Sequence, residues 1–146
     1  MMDVLEQWKS WIIQANRAFA YDQFELACNC YQQALTLLAE HWPEAGRHGP
    51  TAGELDSESL IVCLSISVQN LAETYARQGR RRRCRGLLKR TLRQFSQWQQ
   101  RQPLPMEVDA ALLRERSRLW RELCRLEQIP ASPGHYSIEC HTARLH

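Results

Sequence analysis

Apolar residues recur along this chain at spacings of three and four, the period of helices that bury one face. Trp8, Trp11, Ile12, Ala15, Ala18 and Phe19 share one side of a helix expected over residues 4–20. Tyr21-Asp22-Gln23 is a turn, and a second helix follows over residues 24–41, with Ala27, Tyr31, Ala34, Leu35 and Leu38 on one face. The segment 43–56 holds Pro43, Gly46, Gly49, Pro50 and Gly53 and reads as a loop. Asp56 or Ser57 can cap a third helix, because a side-chain oxygen there accepts an orphan backbone N–H. That helix, residues 58–78, opens with Leu60-Ile61-Val62-Cys63-Leu64, so it is expected to be central and covered on more than one side. Gly79 suits the left-handed residue that ends it. A fourth helix over residues 81–100 turns Cys84, Leu88, Thr91, Phe95 and Trp98 inward, and Pro103 and Pro105 end it. A fifth, over residues 107–128, does the same with Val108, Ala111, Leu112, Leu119 and Leu123. Pro130 and Pro133-Gly134 then break the pattern. The expectation is an all-α chain of about five helices, a single domain over residues 1–128 and a C-terminal tail over residues 129–146.

Two of these segments echo one another. Leu71-Ala72-Glu73-Thr74-Tyr75-Ala76-Arg77-Gln78-Gly79 orders small, aromatic and glycine residues at a helix end, and residues 17–38 follow a looser version of the same plan. In the first unit Trp11 and Ala15 open the first helix, and Phe24, Ala27, Tyr31, Ala34 and Leu35 lie along the second. In the second unit Leu71, Ala72, Tyr75 and Gly79 are followed by Cys84, Leu88, Thr91 and Leu92. Asp22 stands at the turn of the first unit where Gly79 stands in the second.

This pattern resembles the tetratricopeptide repeat, a family of antiparallel helix pairs stacked into a right-handed helical array. Tandem repeats of that family put equivalent residues about 34 positions apart, whereas Ala15 and Ala72 are 57 apart, so roughly 23 residues are inserted. The loop and an extended third helix can hold them. The fifth helix is a cap with a polar outer face or the first half of a further unit. The insertion also resembles a small group of uncharacterised bacterial proteins of this repeat type.

The resemblance implies a non-catalytic interaction module, a scaffold or adaptor that binds a peptide or helix of a protein partner. The family lines its concave groove with the first helix of each pair. Carried over, the groove residues are Lys9, Ile12, Asn16 and Phe19 from the first unit and Gln69, Glu73 and Arg77 from the second. Some family members grip a peptide carboxylate with a lysine and an asparagine one turn apart. Here Asn16 is present, Ile12 stands in the lysine position and Glu73 repels a carboxylate, so a mixed apolar and polar groove is expected.

Charge divides the chain where the motif ends. Residues 1–73 carry three bases against ten acids, residues 74–106 carry ten bases and no acid, and residues 107–146 carry six of each. On the fourth helix Arg82, Arg85, Lys89 and Arg93 fall at offsets of three and four and form a basic patch opposite the apolar face, flanked by Arg81, Arg83 and Arg90. A solvated outer face is one reading of it. The others are binding of RNA or another polyanion through residues 81–100, and a homo-oligomer in which the acidic N-terminal half meets this basic helix. On the fifth helix Arg114, Arg118, Arg121 and Arg125 form a similar stripe, with Glu115 and Glu122 within a turn of it.

No catalytic constellation emerges, and no phosphate loop, nucleophile elbow or metalloprotease helix occurs. Of six cysteines, Cys28, Cys63, Cys84 and Cys124 fall on faces that read as buried, where a reduced thiol acts as a small hydrophobe. Cys28-Asn29-Cys30 lacks the spacing of a redox or zinc pair. His135, Cys140, His141 and His146 are metal-capable but not spaced as ligand pairs on a turn, so neither metal nor cofactor is expected. The first residues show no basic segment leading into an apolar one, and no run reaches the roughly 18 apolar residues of a membrane span. A cytoplasmic protein is expected, with no membrane contact.

Overall fold

The computed structural model describes residues 2–42, 55–101 and 103–127. Five helices account for the regular structure among them: α1 (Val4–Ala20), α2 (Phe24–Ala39), α3 (Ser57–Arg77), α4 (Arg81–Gln99) and α5 (Met106–Glu127). Each expected helix is present, with ends displaced by one or two residues. The tail expected over residues 129–146, with its histidines and Cys140, lies outside the described residues, as does most of the expected loop between α2 and α3.

Aspartates cap the starts of α1 and α3, while α2 and α4 begin without a side-chain cap. Asp3 Oδ1 accepts from the Glu6 N–H at 2.8 Å, and Asp56 Oδ1 accepts from the Ser59 N–H at 2.7 Å. The Asp56 cap realises one of the two expected alternatives, while the Asp3 cap adds a signal that periodicity alone passes over. Each cap satisfies an orphan donor and places a negative charge at the positive end of the helix dipole.

The two tight turns share one backbone design. Gly79 has φ +76° and Asp22 has φ +58°, both in the left-handed region. Each is followed by a residue whose N–H reaches back five positions at 2.8 Å, Gln23 to the Ala18 carbonyl and Arg80 to the Tyr75 carbonyl. Ala18 and Tyr75 are 57 positions apart, as are Asp22 and Gly79, so the sequence echo is also a structural one. Aspartate tolerates this region better than most residues, which is why it can replace glycine here. Gly79→Ala is therefore expected to lose about 1–2 kcal/mol, from backbone strain alone. A Cβ at Gly79 meets nothing within 4 Å. Asp22→Gly is expected to lose nothing, and thermal denaturation of the two variants checks the contrast.

The turns reverse the chain and set each hairpin's helices side by side. Phe19 and Phe24 meet edge to face across the first turn, with ring centroids 5.4 Å apart. α2 packs on α3, and α5 lies against both α3 and α4. α3 is thus in contact with all four other helices, as its apolar opening predicts. Trp8 ties α1 directly to α3: its indole N–H donates to Ser67 Oγ at 2.8 Å, and that hydroxyl donates to the Cys63 carbonyl at 2.8 Å. Buried residues of all five helices join one hydrophobic cluster. Ala15, Ala27, Ala34, Ala72 and Ala111 are wholly buried in it. Small residues of this kind let helix axes approach closely, and larger ones there overpack the core.

Trp42, just past α2, is stacked on Phe95 of α4 at 6.4 Å and meets Trp98 edge to face at 4.9 Å. At the other end of the stack, α5 exposes Met106, Leu113 and Trp120, spaced seven apart along one side. No helix among the described residues is long and apolar enough to cross a membrane.

Candidate functional site

A cleft of about 690 Å³ opens across α1, α3 and α5, floored by Tyr31 of α2. α1 gives it Asn16 and Phe19, α3 gives Gln69, Asn70 and Glu73, and α5 gives Arg118, Arg121, Glu122 and Arg125. Four of the expected groove residues, Asn16, Phe19, Gln69 and Glu73, therefore meet in one depression. Arg77 sits beside them, its guanidinium 5.3 Å from the centre of the Phe19 ring and 4.0 Å from Glu73. Ile12 corrects the expectation: it is buried in the core beside Ala15, because the face of α1 that turns inward includes it. Lys9 is exposed on α1 and is not among the cleft's lining residues.

The polar groups of the cleft are partly committed. Tyr31 donates its hydroxyl to Asn16 Oδ1, which leaves the Asn16 amide N–H groups as donors. Burial raises the Tyr31 phenol above its usual range, and nearby Cys28, Cys30 and Glu73 raise it further, so the hydroxyl keeps the proton it donates. Gln69 Nε2 donates to Ser65 Oγ at 2.9 Å, leaving its carbonyl oxygen as an acceptor. Arg125 forks onto Glu122 and reaches Glu73 at 3.6 Å. Arg118 lies 3.5 Å from the Oε2 atom of Glu115. Among the described residues Arg121 has no hydrogen bond or ion pair, and it is exposed on the rim.

Glu115 was not expected inside the protein. Its side chain is 1% exposed, with Oε2 held by Arg114 at 2.9 Å while Oε1 has no hydrogen-bond partner. The signal for it was in the register: position 115 falls four residues after Ala111 and four before Leu119, both fully buried.

The expected basic patch on α4 divides in two. Arg85 and Lys89 approach Glu127 at 3.5 and 4.0 Å, and Arg81 donates to the Leu126 carbonyl at 3.4 Å. These cations hold the negative end of the α5 dipole, an arrangement the sequence pattern of α4 alone does not disclose. Arg82 and Arg93 remain on the outer side with Arg90, all exposed.

The cysteines do not form a reactive centre among the described residues. Cys28, Cys30, Cys63 and Cys84 are buried free thiols, while Cys124 is only half-buried, against expectation, because it lies at the edge of the inward face of α5. Burial pushes the Cys28 and Cys30 thiols up and the Cys63 thiol up to about 11, which suppresses the nucleophilic thiolate. No group of three or more His, Cys, Asp or Glu side chains that could hold a metal occurs among the described residues.

Five helices packed neighbour on neighbour, with a polar and aromatic cleft across three of them, define an all-α protein. The chain belongs to the family described as "Protein of unknown function (DUF2753)", whose model matches residues 6–134. No curated protein matches it, and no solved structure does.

Proposed function

We propose that this chain is a non-catalytic adaptor of tetratricopeptide type, whose α1–α3–α5 cleft binds an extended peptide or helix of a partner protein. The observation that carries the reading is the cleft's set of uncommitted groups. The Asn16 amide is a donor and the Gln69 carbonyl an acceptor, the pair needed by the C=O and N–H of a passing peptide unit. Phe19 offers an apolar contact held in place by Arg77, and Arg121 offers a cation to an acidic side chain. The order of helix contacts supports the repeat reading, since α1, α3 and α5 are then the first helices of successive pairs.

Selection from a displayed random-peptide library tests this. Peptides that combine an acidic residue with a nearby apolar one are expected to be enriched. Their affinity is expected to fall about tenfold in Asn16→Ala and in Arg121→Glu, each removing a contact worth about 1–2 kcal/mol. Arg121 is exposed, so the melting temperature of Arg121→Glu should stay near that of the parent, whereas Asn16→Ala also removes the acceptor of the buried Tyr31 hydroxyl and is expected to melt lower. Failure to enrich any sequence, or binding by both variants as tight as that of the parent, rejects the cleft as the site.

A further inference from the structure

Gly86 lies within α4, and packing inside the protein does not require a glycine there. A Cβ built on it meets nothing within 4 Å. Glycine in a helix interior is unfavourable relative to alanine because it loses more backbone freedom on folding. The position therefore sacrifices helix stability without avoiding any internal clash. What the missing side chain leaves is a notch of about 390 Å³, lined by Tyr75, Arg82, Arg83, Gly86 and Arg90. A bare backbone is what close approach by a ligand needs.

Among the described residues, no carboxylate pairs with Arg82, Arg83, Arg90 or Arg93. The contrast with Arg85 and Lys89 on the neighbouring side of the same helix is direct, because those two share Glu127. Arg83 instead lies over the Tyr75 ring at 6.0 Å, which fixes one guanidinium at the edge of the notch. Helical periodicity places Arg93 on the side of Arg82, about 16 Å further along the axis. Guanidinium groups match phosphate oxygens in fork geometry and are weakly hydrated, so they favour phosphate over a simple point-charge contact. The length of the row exceeds one phosphate and suits several in succession.

The geometry points to a phosphate-binding notch at Gly86. There the exposed backbone admits one phosphate of an oligophosphate chain among Arg82, Arg83 and Arg90, and Arg93 meets another further along. The phosphates can come from a single-stranded RNA or from free inorganic polyphosphate. The notch lies on α4, apart from the α1–α3–α5 cleft, so its failure leaves the proposed peptide site untouched.

Fluorescence anisotropy at low salt, with a labelled single-stranded RNA oligomer and with inorganic polyphosphate as competitor, tests the assignment. The Gly86→Leu variant fills the notch with a better helix former, so its melting temperature is expected at or above that of the parent. Its affinity is expected to fall by about tenfold, the effect of losing one charge-assisted contact. The Arg82→Gln/Arg90→Gln double variant, altered only at exposed positions, is expected to lose at least as much. Arg85→Gln/Lys89→Gln is expected to bind like the parent. RNA binding that polyphosphate does not displace assigns the site to nucleic acid, and binding of polyphosphate alone assigns it to the free chain. The proposal is overturned if neither binds. It is equally overturned if Gly86→Leu and the Arg82/Arg90 variant both bind normally, or if poly-glutamate competes as well as polyphosphate. Loss in the Arg85/Lys89 variant equal to that in the Arg82/Arg90 variant would mean diffuse charge attraction and also overturns it.

Discussion

Phe95→Ala is expected to lower the unfolding free energy by about 3–5 kcal/mol, the usual cost of emptying a core aromatic site. Phe95 is fully buried in α4 and stacked against Trp42, with their rings 4° from parallel. Its removal takes away apolar burial and also leaves a void, since well-packed cores relax only in part. It also removes the ring on which Trp42 stacks, one of the contacts that join the end of α2 to α4. The loss is large against the roughly 5–15 kcal/mol by which domains are stable. Urea unfolding followed by tryptophan fluorescence checks it: the midpoint should drop while the slope stays near that of the parent. Gln94→Ala, one residue away and exposed, should change stability by less than about 0.5 kcal/mol. Equal behaviour of the two variants would contradict the packing described for α4.

Phe95 was readable in advance because α4 has a sharp division between apolar and charged sides. The same holds for Ala72, Tyr75 and Gly79, whose order foretold a helix end and turn that the left-handed Gly79 then forms. Periodicity identifies which side of a helix is buried, and that is a local property. It does not identify the neighbour a charged side meets. Arg85 and Lys89 look like Arg82 and Arg93 along the sequence, yet the C-terminal end of α5 reaches only the first two. Ile12 was assigned to the groove by carry-over from a family pattern, whereas its own three-and-four spacing with Trp8 and Ala15 already placed it in the core. Asn16, Phe19, Gln69 and Glu73 were legible because they lie just beyond the buried stripes of α1 and α3. The arginines of α5 were seen as a stripe, but that they complete the cleft depends on α5 packing against α3, which local patterning does not specify.

Glu115→Leu is expected to raise the unfolding free energy by about 1–4 kcal/mol, the gain seen when buried ionic groups give way to apolar residues of similar size. Glu115 is 1% exposed, and one of its carboxylate oxygens has no hydrogen-bond partner. Two arginines contact the other oxygen, but their side chains are 47% and 50% exposed, so water can take over their solvation when the carboxylate is gone. That asymmetry decides the sign. Breaking a buried pair is costly when it strands a buried charge. Here the charge left behind is not buried. Leucine also suits the surrounding register, between Ala111 and Leu119. The carboxylate does hold Arg118 at the edge of the cleft, so the stabilised variant is expected to bind cleft-selected peptides more weakly. Guanidinium unfolding and peptide titration on the same sample separate the two effects. Higher stability with weaker binding would show that Glu115 is kept to position Arg118 at the expense of the core. Lower stability would mean that its contacts offset the cost of burying it, and higher stability with unchanged binding would remove Arg118 from the recognition surface.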